Sequence, residues 1–188
     1  KALDNMSVDL YPGEIHCLVG ENGAGKSTRM KVLSGAYKPD SGTIIINGKE
    51  YNHMTAALSR ELGINIIYQE NLLVPWMNIV ENIFIGQEIT KNGFVDFASE
   101  FQEAKELCDS IHLNLNLNKT VNKLSVAEQQ YVKIIKALST QPKVLIMDEP
   151  TSMFNVEDAG KVLEMVERIA GNGVGVLYIS HFLKEVKQ

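Results

Sequence analysis

Nine residues near the start of the chain read Gly20-Glu21-Asn22-Gly23-Ala24-Gly25-Lys26-Ser27-Thr28. They fill every fixed position of the pattern G-x-x-x-x-G-K-[ST], in which glycines let backbone N–H groups crowd around phosphate. The apolar run Ile15–Val19 precedes them and predicts a strand, while residues 30–33 continue them as a helix. A strand, a glycine turn and a helix start together predict a phosphate-binding loop and not an ordinary turn.

Two side chains of this loop carry specific chemistry. Lys26 is expected to reach the β- and γ-phosphates of a nucleoside triphosphate, and the Ser27 hydroxyl is expected to ligate Mg²⁺. The other positions of 20–28 are expected to offer backbone N–H groups at the positive end of the helix dipole.

The bulk composition is that of a soluble globular domain. The chain has 188 residues, of which 45% are hydrophobic and 22% charged, enough for one domain with a real core. Its net charge of −5 argues against a nucleic-acid partner. Cys17 and Cys108 are predicted to be buried thiols of a reducing compartment, without a disulfide or a zinc site. A start without Met and an end inside a helical pattern favour a fragment of a longer chain.

Hydrophobic patterning alternates between strand and helix types along the chain. Apolar runs predict strands at 43–46, 64–68, 144–147 and 174–179, and strict alternation predicts another at 6–10. Helical spacing covers 56–62, 80–85, 97–111, 126–138 and 156–170. Continuous apolar strands separated by helices predict an α/β fold with a largely parallel sheet covered on both faces. We expect a core formed by 1–74 and 141–188, interrupted by a helical insertion at 75–140.

An acidic pair ends one of these strands. Asp148 and Glu149 directly follow the apolar run 144–147. Alone the pair is weak evidence, because acidic residues often end strands. Together with the phosphate loop it predicts that Asp148 holds Mg²⁺ through water and that Glu149 orients or deprotonates the attacking water.

Two further polar residues follow predicted strands. Gln69 is expected to point into the crevice at the carboxyl edge of the sheet, where its amide would contact Mg²⁺ and the attacking water. His181 is expected to hydrogen-bond the γ-phosphate and the same water. For each, the alternative is an ordinary residue at a strand end, a solvated glutamine or a satisfied histidine.

One helix start admits two interpretations. Ser125 is a good N-cap before the helix 126–138, and Glu128 three residues later completes a capping box. The simpler interpretation is a well-capped helix. The other is a second anion site, formed by the Ser125 hydroxyl and free N–H groups, which would serve a partner's nucleotide.

In the order of these motifs, the chain resembles the nucleotide-binding domain of an ABC transporter. The run 124–130, Leu-Ser-Val-Ala-Glu-Gln-Gln, resembles the family's L-S-G-G-Q signature, with other residues at three of its five positions. In this form it is similar to the N-terminal ATP-binding half of bacterial importers of ribose, galactose and xylose. The resemblance implies a RecA-like P-loop NTPase core with a mostly parallel sheet and an inserted helical subdomain at 75–140.

The resemblance also implies an activity, ligands and partners. ATP and Mg²⁺ would bind on 20–28, Gln69 and Asp148, with Glu149, His181 and Lys26 catalytic. Ser125 would act in trans on the ATP of a second nucleotide-binding half, which would be fused to this half in the full chain. Membrane permease subunits, and indirectly a periplasmic sugar-binding protein, would be partners, and the domain would lie at the cytoplasmic face of the inner membrane. No nucleic acid is implied.

Several alternatives stay open. The chain could be a soluble ABC ATPase without a membrane partner, another phosphate-loop enzyme such as a small-molecule kinase, or a nucleotide-binding half with no turnover in isolation. Trp76 lies where the family docks its membrane subunit, with ordinary packing equally favoured. Arg29, where relatives place an apolar residue, would either pack its stem and free its charge or strain the helix.

Overall fold

The structure is a computed structural model that describes residues 6–20, 25–70 and 72–181. Its main sheet has four parallel strands, in the order β1 (Ile15–Val19), β8 (Gly175–Ser180), β7 (Val144–Asp148) and β4 (Ile64–Ile67). The expected parallel α/β architecture is therefore confirmed.

Six α-helices and two hairpins complete the described part of the chain. The helices are α1 (Lys26–Leu33), α2 (Ala56–Glu61), α3 (Ile79–Phe84), α4 (Phe97–Ser110), α5 (Val126–Leu138) and α6 (Val156–Gly171). A short 3₁₀ helix, Val121–Lys123, precedes α5. The antiparallel hairpins are β2 (Ile44–Ile46) with β3 (Lys49–Tyr51), and β5 (Thr90–Lys91) with β6 (Phe94–Val95).

Both faces of the sheet are covered by apolar side chains. Successive residues of β7 and β8 point to opposite faces, as the strand period of two requires. On one face Leu145 and Met147 join a core with α3, α5 and α6. On the other, Ile146 and Ile179 join a smaller core with Met30 of α1. Before the polar residues Asp148 and Ser180 at their ends, these strands are apolar because neither face meets water, which is the pattern expected from the sequence.

Three sequence expectations need correction. Residues 6–10 form no strand, although they alternate. Met6 is 55% exposed, and no neighbouring strand is paired with this stretch in the described structure. The strand expected at 64–68 ends at Ile67, and Tyr68 is exposed. Cys17 is only half-buried, whereas Cys108 is buried and its pKa is raised to about 11 by burial.

Arg29 packs without breaking its helix. The helix α1 continues through it, and its N–H donates to the Gly25 carbonyl at 3.2 Å. The guanidinium contacts the Met6 sulfur, while its Nε is buried and makes no hydrogen bond within the described structure. Of the two alternatives for Arg29, packing of the stem holds, but one polar atom is buried with it.

Candidate functional site

The four parallel strands bring the chemical motifs to one edge of the sheet. Val19 is in register with Ser180, and Asp148 is in register with Ile179. Neighbouring strands lie about 4.8 Å apart. The residues that follow their carboxyl ends, including Gly20, Glu149 and His181, therefore lie side by side, as the crevice of an open parallel sheet requires.

The phosphate loop is described at its two ends. Gly25 is buried and adopts a left-handed conformation, with φ of 85°, at the N-cap of α1. The Lys26 ammonium donates to the carbonyl of Gly20, so its side chain spans the loop from one end to the other. Thr28 is half-buried in the first turn of α1. The predicted roles of Glu21, Asn22, Gly23 and Ala24, and of the Ser27 side chain, lie outside the described residues.

Asp148 is the last residue of β7 and lies near the loop lysine. Burial raises the pKa of its carboxyl, and the charge of Glu149 raises that pKa further, whereas the charge of Lys26 lowers it. The opposing influence of Lys26 indicates that the ammonium and the carboxylate share one electrostatic environment. A half-buried carboxylate beside a phosphate loop has the donor type that Mg²⁺ prefers.

The backbone of Glu149 adopts a left-handed conformation, which orients its side chain. Its φ is 47°, a left-handed conformation that costs a non-glycine residue roughly 1–2 kcal/mol. Its N–H donates to the Ile179 carbonyl of the neighbouring strand at 2.9 Å. Its carboxylate Oε1 lies 3.0 Å from Nδ1 of His181, with the Glu149 side chain only 15% exposed. The strained turn after β7 thus directs Glu149 toward the residue that follows β8.

A buried hydrogen bond connects the turn after β7 to the strand β8. The Thr151 hydroxyl and the Tyr178 hydroxyl lie 2.9 Å apart, and both side chains are buried. Thr151 is two residues beyond Glu149, and Tyr178 lies on β8 three residues before His181. Sequence reasoning missed this pair, because a threonine and a tyrosine that are distant in sequence give no signal of contact.

The structure places Gln69 at the same edge as these groups. It lies two residues beyond β4, the strand that pairs with β7. Its side chain is exposed. The register supports the predicted location of Gln69, and its predicted contact with Mg²⁺ stays a prediction.

Ser125 occupies a different place in the fold. It caps α5, and its hydroxyl oxygen accepts from the Glu128 N–H at 3.2 Å, while the Glu128 carboxylate accepts from the Ser125 N–H at 2.7 Å. Lys119 binds that carboxylate at 3.1 Å. The backbone N–H of Ser125, with a smaller contribution from Lys119, holds the pKa of Glu128 below its usual range. The capping box is confirmed, and an ionised carboxylate lies at this helix start.

The charge of Glu128, which the Ser125 N–H and Lys119 both stabilise, makes the stability of the chain depend on pH. Glu128→Gln keeps an oxygen for the Ser125 N–H but loses the charge opposite Lys119. A lowered pKa contributes stability above the pKa of unfolded Glu, about 4.3, that is lost as pH falls through the folded value. We expect the variant to be about 0.5–1 kcal/mol less stable at pH 7, with the deficit shrinking as pH falls below about 4.3.

Urea unfolding at several pH values measures this difference. Glu157→Gln is the matched control, because Glu157 also pairs with a lysine, Lys161, but is 80% exposed. A stability deficit of Glu128→Gln that stays constant from pH 7 to pH 3 would exclude the charge of the Glu128 carboxylate as its cause.

Neither a metal cluster nor a membrane helix is visible within the described ranges. No group of three or more His, Cys, Asp or Glu side chains there is arranged to hold a metal ion. In the same ranges, no helix has both the length and the apolar character needed to cross a bilayer.

Comparison with known proteins identifies relatives along the whole chain. It is 44% identical over 187 residues to ribose import ATP-binding protein RbsA 1 of Rubrobacter xylanophilus, covering 100% of this chain and 38% of the relative. It is 41% identical to ribose import ATP-binding protein RbsA 2 of Escherichia coli O157:H7, covering 98% and 37%. The chain thus spans less than two fifths of the length of these curated relatives.

Solved structures agree with the fold. A nucleotide-free ATP-binding cassette from an ABC transporter superposes with a TM-score of 0.84 at 26% identity, covering 99% of this chain and 78% of that one. An ATP-binding cassette in its ADP conformation gives 0.84 at 27% identity, covering 98% and 77%. The family model described as ABC transporter matches residues 3–152. Because that match includes the phosphate loop and the Asp148–Glu149 strand end, the chain belongs to the ABC transporter family.

Proposed function

We propose that this chain binds and hydrolyses ATP as one nucleotide-binding half of a monosaccharide importer. One observation carries the proposal: Glu149 and His181 are 3.0 Å apart at the sheet edge where the phosphate loop begins. The ribose import function in the relatives' names supports the sugar class and the direction of transport. The same names make a soluble ATPase without a membrane partner the less favoured alternative.

ATP binding would use the loop 20–28. Its backbone N–H groups and the start of α1 would hold the phosphates, and Lys26 would exchange its contact with the Gly20 carbonyl for phosphate oxygens. Ser27, Gln69 and Asp148 would hold Mg²⁺, which when bound supplies positive charge against the phosphates. A carboxylate, a hydroxyl and an amide, completed by water and phosphate oxygens, suit its preference for oxygen ligands.

Hydrolysis would depend on the Glu149 and His181 pair. The Glu149 carboxylate would accept a proton from the attacking water or orient it toward the γ-phosphate. His181, whose Nδ1 lies 3.0 Å from Oε1 of Glu149, would hold that carboxylate in position beside the γ-phosphate. The turn at φ 47° restricts where Glu149 can point, so the geometry is set before ATP arrives.

The catalytic site would be completed by a second nucleotide-binding half. Ser125 is exposed at the start of α5, and it does not follow a strand of the sheet that carries the phosphate loop. It would therefore act in trans, closing over the ATP of the other half. The curated relatives are long enough to contain a second half in the same chain.

The membrane partner would dock beside the residues that follow Gln69. Trp76 is 79% exposed and Leu72 is 66% exposed, so neither packs inside this chain. Exposed apolar side chains of this size are typical of a protein partner site. We assign 75–140 as the helical subdomain, because α3, α4 and α5 pack on one another. The domain would lie peripherally at the cytoplasmic face of the inner membrane, contacting the periplasmic sugar-binding protein only indirectly.

ATP turnover measured with and without the second half tests this function. We expect this chain alone to bind ATP with little turnover, and turnover to rise at least about tenfold when the other half is supplied. Binding without turnover under every pairing would instead make this half a nucleotide sensor. Failure to bind ATP at all would refute the assignment of 20–28.

A further inference from the structure

A buried asparagine holds the turn that exposes Trp76. Asn82 lies on α3 with none of its surface exposed. Its side-chain oxygen accepts from the Val74 N–H at 2.7 Å, and its side-chain nitrogen donates to the carbonyls of Val74 at 3.0 Å and Asn78 at 3.0 Å. A longer contact reaches the Met77 carbonyl at 3.3 Å. One side chain thus satisfies the backbone on both sides of residues 75 and 76.

The turn itself is suited to be rigid. The Met77 N–H donates to the Val74 carbonyl, which closes a four-residue turn with Pro75 at its second position. Proline sets φ near −65° at that position and so lowers the entropy cost of forming the turn. Because Asn82 hydrogen-bonds this turn and Pro75 is part of it, the backbone that carries the exposed indole of Trp76 has few alternative conformations.

The same turn is bonded to the segment that leads into α5. The Val121 N–H donates to the Met77 carbonyl at 3.0 Å, and the Asn122 N–H donates to the Pro75 carbonyl at 2.9 Å. Asn78 also forms an antiparallel bridge with Thr120. Val121–Lys123 is the 3₁₀ helix that runs directly through Leu124 to Ser125. Only Lys123 and Leu124 therefore separate the bonded amide of Asn122 from the cap of α5.

We propose that Asn82 is a positioning residue. By holding the turn that carries Trp76, it couples this turn to the Ser125 cap, so that contact of a partner with Trp76 shifts the start of α5. Because contiguous hydrogen-bonded and packed elements can carry energetic coupling, loss of the Asn82 contacts should separate the two ends. This inference rests on the proposed function, in which Trp76 faces the membrane subunit and Ser125 faces the partner's ATP.

Hydrogen exchange tests the junction without any partner. Asn82→Ala removes every side-chain contact to 74–78, and we expect the amides of Val121 and Asn122 to exchange at least about tenfold faster. Thr120→Val is the matched control, since the Thr120 hydroxyl in the same segment is buried without a hydrogen-bond partner in the described structure. Its loss should leave both amides protected. Unchanged protection in Asn82→Ala would overturn the proposal.

A coupling assay then tests the transmission. The full-length protein, reconstituted with its permease subunits in liposomes, is compared with the same protein alone. We expect Asn82→Ala to keep basal ATP turnover within about twofold but to lose at least about fivefold of the stimulation by the permease. Stimulation equal to that of the original chain would overturn the proposal.

The Pro75→Gly variant and the partner-free exchange measurement cover the cases in which Asn82→Ala or the permease assay fails. If Asn82→Ala does not fold, Pro75→Gly replaces it, because Pro75 is exposed and its removal loosens the same turn from outside. It should weaken amide protection and coupling in the same direction, and a variant that leaves both unchanged would count against the proposal. If the unaltered protein is not stimulated by its permease, the importer function fails, while the exchange arm still decides whether Asn82 forms the junction.

Discussion

Replacing Glu149 with glutamine is expected to lower ATP turnover by about 10²–10⁴-fold, because general-base catalysis contributes about that much. The amide keeps the size of the side chain but accepts protons poorly. ATP binding is expected to be unchanged, since the loop 20–28 is untouched. Single-turnover kinetics with the paired halves and equilibrium binding of ATP measure the two quantities separately.

Two further variants define what the loss of turnover means. Glu157→Gln removes a carboxylate from the exposed start of α6 and should leave turnover unchanged. His181→Ala removes the 3.0 Å partner of Glu149 and should also reduce turnover strongly. Because the two residues act as a unit, the double variant should be little slower than the worse single variant. Full additivity would contradict a shared role for the pair.

Much of the fold could be predicted from the sequence, because the burial of a strand or helix determines the spacing of its apolar residues. The strands β7 and β8 are buried on both faces and are apolar up to their last residues, Asp148 and Ser180. The sequence of α5 shows both its capping box and its apolar face. Residues 6–10 show where such reasoning fails. They alternate as a strand does, but a strand also needs a neighbour for its backbone groups, and no local pattern reports whether one is present.

The site was predictable in its parts and not in its assembly. Lys26 could be selected from the phosphate-loop pattern, and Asp148, Glu149 and His181 could be selected because each lies within two residues of the end of a predicted strand. The left-handed backbone of Glu149 could not, since nothing in Asp-Glu-Pro-Thr demands φ of 47°. Likewise the network around Asn82 depends on backbone carbonyls, which are the same for every residue type and leave no trace in composition.

The helix that carries the phosphate loop depends on a glycine at its other end. Gly35 follows α1 with φ of 76° and donates its N–H to the Val32 carbonyl at 3.1 Å, a common way to end a helix. A Cβ at this position would lie 2.4 Å from the backbone carbonyl carbon of Thr55, which caps α2. Close packing here seats the end of α1 against the start of α2.

Gly35→Ala is therefore expected to destabilise the chain by about 3 kcal/mol or more, combining left-handed strain with overpacking. Gly48→Ala separates the two terms, since Gly48 has an almost equal φ of 77° but open space around its Cβ. It should cost only about 1–2 kcal/mol. Urea unfolding measures both losses of unfolding free energy, provided that the variants show the same dependence of that free energy on urea concentration. If both variants lose the same free energy of unfolding, the left-handed backbone alone accounts for the loss. The close contact with the Thr55 backbone would then be relieved without a cost in stability.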